Sequence, residues 1–134
     1  MLKRVAHIGI AVKSINEAVR LFCNILGLKL KETQRIEELG LNIAFLKLGD
    51  VDIELLESVR NDTPIAKFIE KRGEGIHHIC IEVDDIEKTI SNLSQAGIEL
   101  IDKEPRIGTH KEKIAFINPK STGGVLIELE EAEK

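Results

Sequence analysis

The sequence predicts an α+β chain made of two paired β-α-β-β-β modules, and two observations carry that prediction. Short runs of β-branched and apolar residues alternate with stretches at helical spacing. The whole pattern then starts over. His7-Ile8-Gly9-Ile10-Ala11-Val12 matches His78-Ile79-Cys80-Ile81-Glu82-Val83, and Ile43-Ala44-Phe45 matches Ile114-Ala115-Phe116 at the same offset. Gly49 to Leu55 matches Gly123 to Leu129 at a slightly longer one, with the extra residues absorbed in Pro119-Lys120-Ser121-Thr122. Three matches in the same order define an internal repeat.

Each element has its own warrant. Arg4–Val12 has a two-residue apolar period and reads as a strand. Ser14 then stands as an N-cap with Glu17 at the capping-box position. Ile15, Ala18, Val19, Phe22, Cys23 and Leu26 follow at helical spacing, and Gly27 stops the helix. Leu28–Thr33, Leu41–Leu48 and Val51–Leu56 read as strands, the last two joined by the turn pair Gly49-Asp50. Thr63-Pro64-Ile65 opens a helix with proline at its first position, and Arg72-Gly73 closes it. In the second module Ile76–Val83 is a strand and Asp85–Gln95 a helix. Strands are then expected at Ile98–Asp102, Lys113–Ile117 and Val125–Glu130. The chain is thus one domain over 1–134, with module one at 1–58, a linker helix at 59–74 and module two at 75–134.

Composition narrows the function classes. A chain of 134 residues fits one domain or two small halves sharing a core. A net charge of −4 with no basic run argues against nucleic acid or a membrane surface as partner. Four Phe, no Tyr and no Trp leave nothing from which to build a base-stacking or carbohydrate platform. No segment approaches the ~18 consecutive apolar residues of a membrane helix. Met1-Leu2-Lys3-Arg4 runs straight into a strand without an apolar leader, so a cytoplasmic location is expected. Cys23 and Cys80 read as reduced, buried thiols.

The polar residues of the repeat point to chemistry. Side chains alternate between the faces of a strand. Ile8, Ile10 and Val12 therefore pack beneath the helix, while His7, Gly9 and Ala11 face the other way. In module two Ile79, Ile81 and Val83 pack, with His78, Cys80 and Glu82 opposite. The last strand of each module buries Val51, Ile53 and Leu55, or Val125, Ile127 and Leu129, and turns Glu54 or Glu128 to the opposite face. Each module so offers one His and one Glu on the face its own helix leaves open.

A lone strand His or Glu is usually a solvated residue. A His/Glu pair that recurs at matching positions, in modules that differ almost everywhere else, has a different explanation. Two imidazoles and two carboxylates suit a borderline divalent ion such as Co²⁺, Zn²⁺, Mn²⁺ or Ni²⁺ better than Ca²⁺ or an iron–sulfur cluster. On an octahedral ion four such ligands leave two positions for water or a bidentate substrate. Two such modules side by side would converge these four side chains on one metal site.

Other polar residues carry weaker signals. His77 shares its face with packed residues and reads as structural. His110 sits in the loop Gly108-Thr109-His110, either at the mouth of the site or simply exposed. Lys111, Lys113 and Lys120 read as solvated surface, and so do the acids of Glu128-Leu129-Glu130-Glu131 apart from Glu128. Gly73-Glu74-Gly75 lacks the Lys-Ser/Thr of a phosphate loop.

The paired modules and the His-Ile-Gly-Ile-Ala-Val opening resemble the vicinal oxygen chelate superfamily, which implies its glyoxalase-like fold, a curved mixed sheet around a metal site. Thr63 to His78 (TPIAKFIEKRGEGIHH), Pro105-Arg106-Ile107-Gly108, Phe116 to Ser121 (FINPKS) and Gly124 to Leu129 (GVLIEL) resemble its methylmalonyl-CoA epimerase branch. The resemblance implies one divalent ion per chain, Co²⁺ first and Zn²⁺, Mn²⁺ or Ni²⁺ otherwise, held by His7, Glu54, His78 and Glu128. It implies an acyl-CoA substrate, methylmalonyl-CoA, and proton transfer at the carbon between thioester and carboxylate, with Glu128 a catalytic group as well as a ligand. It also implies a homodimer.

The sequence departs from the branch at two positions. Ile43 stands where some members carry a Glu proposed as the second base, and Asn118 stands where His is frequent. Glu37, Glu38, His110 and a metal-bound water are then the options for that base. Two alternatives remain open at this point. One is a glyoxalase-I-like lactoylglutathione lyase, and the other is a non-enzymatic small-molecule binding protein on the same scaffold.

Overall fold

The computed structural model describes residues 1–133. The chain divides into two compact units, His7–His77 in one and Met1–Ala6 with the chain from His78 onward in the other.

The unit His7–His77 contains the strands in the order β2-β3-β4-β1. Strand β1 (Leu2–Ala11) runs parallel to β4 (Val51–Ser58), with Ile8 opposite Ile53 and Gly9 opposite Glu54. Strand β3 (Leu41–Leu48) lies antiparallel to β4 and to β2 (Lys29–Ile36). One face buries Val12, Ala44, Leu46, Ile53 and Leu55 against Ala18, Phe22 and Cys23. Those three belong to helix α1 (Ile15–Val19) and the π-helical turn Arg20–Ile25 that continues it. Ser14 caps α1 as the sequence predicts, its Oγ accepting the Glu17 amide at 3.2 Å. A second cap comes from β4, where a Glu57 carboxylate oxygen accepts the Ile15 amide at 3.0 Å. The other face carries helix α2 (Pro64–Arg72), whose Ile65, Phe68 and Ile69 pack on Ala11, Ile43, Phe45 and Leu56. Thr63 caps α2 through Ala66 N at 3.0 Å, and Gly73 at φ +77° ends it.

The other unit orders its strands β1-β5-β8-β7-β6. The opening residues of β1 lie beside β5 (Gly75–Val83), with Lys3 3.1 Å from Asp84 and Arg4 3.6 Å from Glu82. Strand β8 (Ile127–Glu131) runs parallel to β5 and antiparallel to β7 (Lys113–Ile117). The short β6 (Arg106–Ile107) completes the order. Helix α3 (Ile86–Gln95) buries Ile86 and Ile90 against Val83, Leu100, Ala115, Ile117 and Leu129. Asp85 caps it through Lys88 N at 3.1 Å, and a Glu131 oxygen accepts the Ile86 amide at 3.0 Å.

Two expected strands come out differently. Ile98–Asp102 forms only an isolated bridge, Leu100 to Ile117. The amides of Ile101 and Asp102 converge on the Phe116 carbonyl, and the Asp102 carboxylate accepts the Phe116 amide at 2.8 Å. A side chain thus takes the place of the ladder, and the true neighbour of β7 is β6. The last strand begins at Ile127 rather than Val125. Val125 is held back by the turn, its carbonyl accepting the Thr122 hydroxyl.

Candidate functional site

The first His/Glu pair is built by strand register. Gly9 lies opposite Glu54 on β1 and Phe45 lies opposite it on β3. His7, on the same face of β1, places its Nδ1 2.9 Å from Glu54 Oε2, and the imidazole is buried. The second pair repeats the construction. Glu128 is flanked in register by Cys80 and Phe116. His78 Nε2 lies 3.1 Å from Glu128 Oε1, with both residues 7% exposed. The Phe116 ring meets the His78 ring edge to face at 5.9 Å.

The donor sets fit a divalent ion. Two ligands in adjacent octahedral positions, each ~2.1 Å from the ion, stand ~3.0 Å apart, against ~3.4 Å for a tetrahedral pair. The two His–Glu separations, 2.9 and 3.1 Å, are those of hydrogen-bonded pairs and are compatible with adjacent positions on an octahedral ion as well. Neutral imidazole with carboxylate is also the donor mixture that borderline ions take. Cys80 adds a soft neighbour, its Sγ within 4.8 Å of a Glu128 oxygen. That thiol donates to Glu130 Oε1 at 3.4 Å, consistent with the reduced state expected for it.

The remaining candidates fall elsewhere. His77 packs on Phe68 of α2, ring centroids 5.2 Å apart, as a structural residue would. His110 is exposed, and its backbone amide donates to Glu112 at 2.9 Å. Glu37 is held by Arg35 at 2.7 Å in the exposed β2–β3 connection, where Glu38 also lies. Ile43 is buried under α2. Cys23 is half-buried, and its burial pushes the thiol pKa up. Lys113 pairs with Glu87 at 3.0 Å, and that hydrogen bond raises its pKa.

The acidic run ending β8 is not simply solvated. Glu130 accepts from Cys80 and Glu131 caps α3. Glu57 and Glu131 are the functional carboxylates the sequence reading missed as caps. The signal was present, because they stand at the same offset as Glu54 and Glu128. Arg106 was noticed only as part of a motif. Its guanidinium lies 5.3 Å over the Phe116 ring and pairs with Asp102 at 3.1 Å.

Among the described residues no helix is long and apolar enough to cross a membrane. The sequence profile of the Glyoxalase/Bleomycin resistance protein/Dioxygenase superfamily matches residues 6–116. The human mitochondrial methylmalonyl-CoA epimerase is 40% identical over 132 residues, covering 98% of this chain and 75% of that protein. The crystal structure of methylmalonyl-CoA epimerase from Mycobacterium tuberculosis superposes with a TM-score of 0.92 at 32% identity, covering 99% of this chain and 90% of that one. A solved methylmalonyl-CoA epimerase in complex with methylmalonyl-CoA and NH4+ superposes equally well, TM-score 0.92 at 33% identity, covering 98% and 96%. The α+β architecture expected from the repeat is therefore the glyoxalase fold. By profile, sequence and structure, the chain belongs to the Glyoxalase/Bleomycin resistance protein/Dioxygenase superfamily and, within it, to the methylmalonyl-CoA epimerase family.

Proposed function

We propose that this chain is a methylmalonyl-CoA epimerase, interconverting the (R) and (S) forms by proton transfer at the carbon between thioester and carboxylate. One observation supports the reading beyond family membership: each unit holds a His/Glu pair whose imidazole and carboxylate are close enough to share an ion, with His7, His78 and Glu128 buried and Glu54 half-buried. His7, Glu54, His78 and Glu128 are the proposed ligands of one divalent ion, Co²⁺ in preference to Zn²⁺, Mn²⁺ or Ni²⁺. When bound, that ion supplies Lewis-acid stabilisation of the negative charge that develops on the thioester oxygen. Glu128 also moves a proton at the substrate carbon. The two modules with their linker helix at 59–74 act as one domain over 1–134, in a cytoplasmic homodimer.

The direct test uses metal-loaded protein in deuterated solvent. Methylmalonyl-CoA should exchange its α-hydrogen, and Glu128→Ala should abolish that exchange. Conversion of the glutathione hemithioacetal with no exchange on methylmalonyl-CoA would replace the reading with a lactoylglutathione lyase. A preparation that takes up no divalent metal would point instead to a non-enzymatic binding protein.

A further inference from the structure

The substrate of the proposed reaction carries a carboxylate beside the carbon that gives up its proton. In the unit from His78 onward, that anion meets a face already rich in acids. Strands β5, β8, β7 and β6 lay out two cross-strand rows there. Cys80, Glu128 and Phe116 form one row, and Glu82, Glu130, Ile114 and Arg106 form the next. Residues paired across a sheet share a face, as do residues two apart on a strand, so all seven stand on the side of Glu128. Like charges brought together on such a face are repelled unless a cation intervenes. We infer that Arg106 is that cation: it binds the free carboxylate of the substrate and selects 2-carboxyacyl thioesters of CoA. The inference rests on the epimerase reading and deepens it.

Strands β5 to β8 carry one lysine and one arginine. Lys113 pairs with Glu87 of α3, on the opposite side of the sheet. Arg4, beside β5, is held by Glu82 at 3.6 Å. Arg106 leans out of its own row into that of Glu128, its guanidinium 5.3 Å from the centre of the Phe116 ring. The Asp102 carboxylate fixes it in this pose. One oxygen lies 3.1 Å from Arg106 Nε, and the other accepts the Phe116 amide at 2.8 Å. The two terminal amino groups have no acceptor among the described residues. They form the planar fork that takes a carboxylate through two parallel hydrogen bonds.

The site has room for such a ligand. The Arg106 side chain is 53% exposed and Phe116 is only half-buried. Its repeat counterpart Phe45 is 3% exposed beneath α2, so the same construction has no space in the unit His7–His77. Reach agrees as well. Phe116 is the β7 neighbour of Glu128, ~4.8 Å away by strand spacing. A carboxylate on the reacting carbon covers about 5 Å from that carbon to a donor nitrogen, with ~2.9 Å of it the hydrogen bond. The CoA phosphates are poorer partners, because the pantetheine arm, with the bonds of four to five extended residues, sets them roughly 15 Å beyond the sulfur. As the proton leaves, negative charge grows on the thioester oxygen next to a carboxylate already charged. A guanidinium on that carboxylate relieves the repulsion, so Arg106 acts on turnover as well as on binding.

The experiment titrates metal-loaded wild type, Arg106→Gln and Arg106→Lys calorimetrically with methylmalonyl-CoA and with propionyl-CoA, which lacks the carboxylate. Arg106→Gln should weaken methylmalonyl-CoA at least about tenfold and leave propionyl-CoA within about twofold. Arg106→Lys keeps the charge without the fork and should fall between wild type and Arg106→Gln. Exchange of the α-hydrogen in deuterated solvent should fall in the same order, in kcat as well as KM. Equal weakening of both thioesters would overturn the assignment, because Arg106 would then serve the CoA portion or the fold. Unchanged methylmalonyl-CoA affinity in Arg106→Gln would overturn it too. A wild type that exchanges no α-hydrogen would refute the epimerase reading itself, a result distinguishable from either.

Discussion

The two units build the same His/Glu pair and then cover it differently. In the unit His7–His77, Ala11 and Leu56 stand one alternation beyond Gly9 and Glu54, and helix α2 buries both. In the other unit the matching positions are Glu82 and Glu130, which meet Arg4 and Cys80 rather than a helix. The His/Glu pairs and the capping glutamates Glu57 and Glu131 keep their residue type, while other positions along the same strands change with what lies over them. The pair is therefore the common element, and the lid over it is what each half adapted.

The comparison breaks first at the proposed ligands. His7→Ala and His78→Ala should each abolish epimerisation and lower the divalent metal retained on gel filtration, measured by elemental analysis. Loss with one substitution and near-normal activity with the other would mean that a single unit suffices for the ion. Next come the cores. Leu55→Ala and Leu129→Ala truncate equivalent residues that are 0% exposed, and each should cost about 2–5 kcal/mol in urea unfolding. The cost should be similar in the two, since each lies beneath its own helix.

Smaller effects sharpen the contrast. Glu131→Ala removes one helix cap and should cost about 1 kcal/mol. Glu57→Ala should cost more, because Glu57 also accepts from Asn42 at 2.8 Å, and urea midpoints of the two variants will rank them. The smallest effect belongs to the β4–α2 connection. There the Arg60 guanidinium hydrogen-bonds Asp62 at 2.9 Å and holds its carboxyl below the usual aspartate range. A lowered pKa gives stability that is present above the unfolded value and is lost as pH falls through the folded one. Asp62→Asn should thus lower the thermal midpoint slightly at pH 7, with the difference from wild type closing below the ordinary aspartate range.

Much of this was legible in the residues. Strand β3, helix α2 and strand β7 match their expected bounds, because each is framed by local signals: a glycine turn, a Thr-Pro cap, a run of alternating apolar residues. The two His/Glu pairs were legible because the repeat marked them twice. The segment before β6 was not, since the Asp102 carboxylate replaces a backbone partner from a distance along the chain. Nor was the face of Glu32, which a β-bulge between Leu30 and Glu32 sets opposite Phe45. A bulge shifts the alternation by one residue without leaving a local sequence mark.

That bulge makes β2 unusual in its response to changes of length. Deleting a residue from a strand normally turns every following side chain to the wrong face. Here two adjacent residues of opposite charge share one station of the ladder. Losing residue 31 would close the ladder with a carboxylate over Phe45, and losing residue 32 would close it with an ammonium there. Neither deletion disturbs the rest of the register. At this one place the choice of which neighbour to omit reverses the charge paired with Phe45.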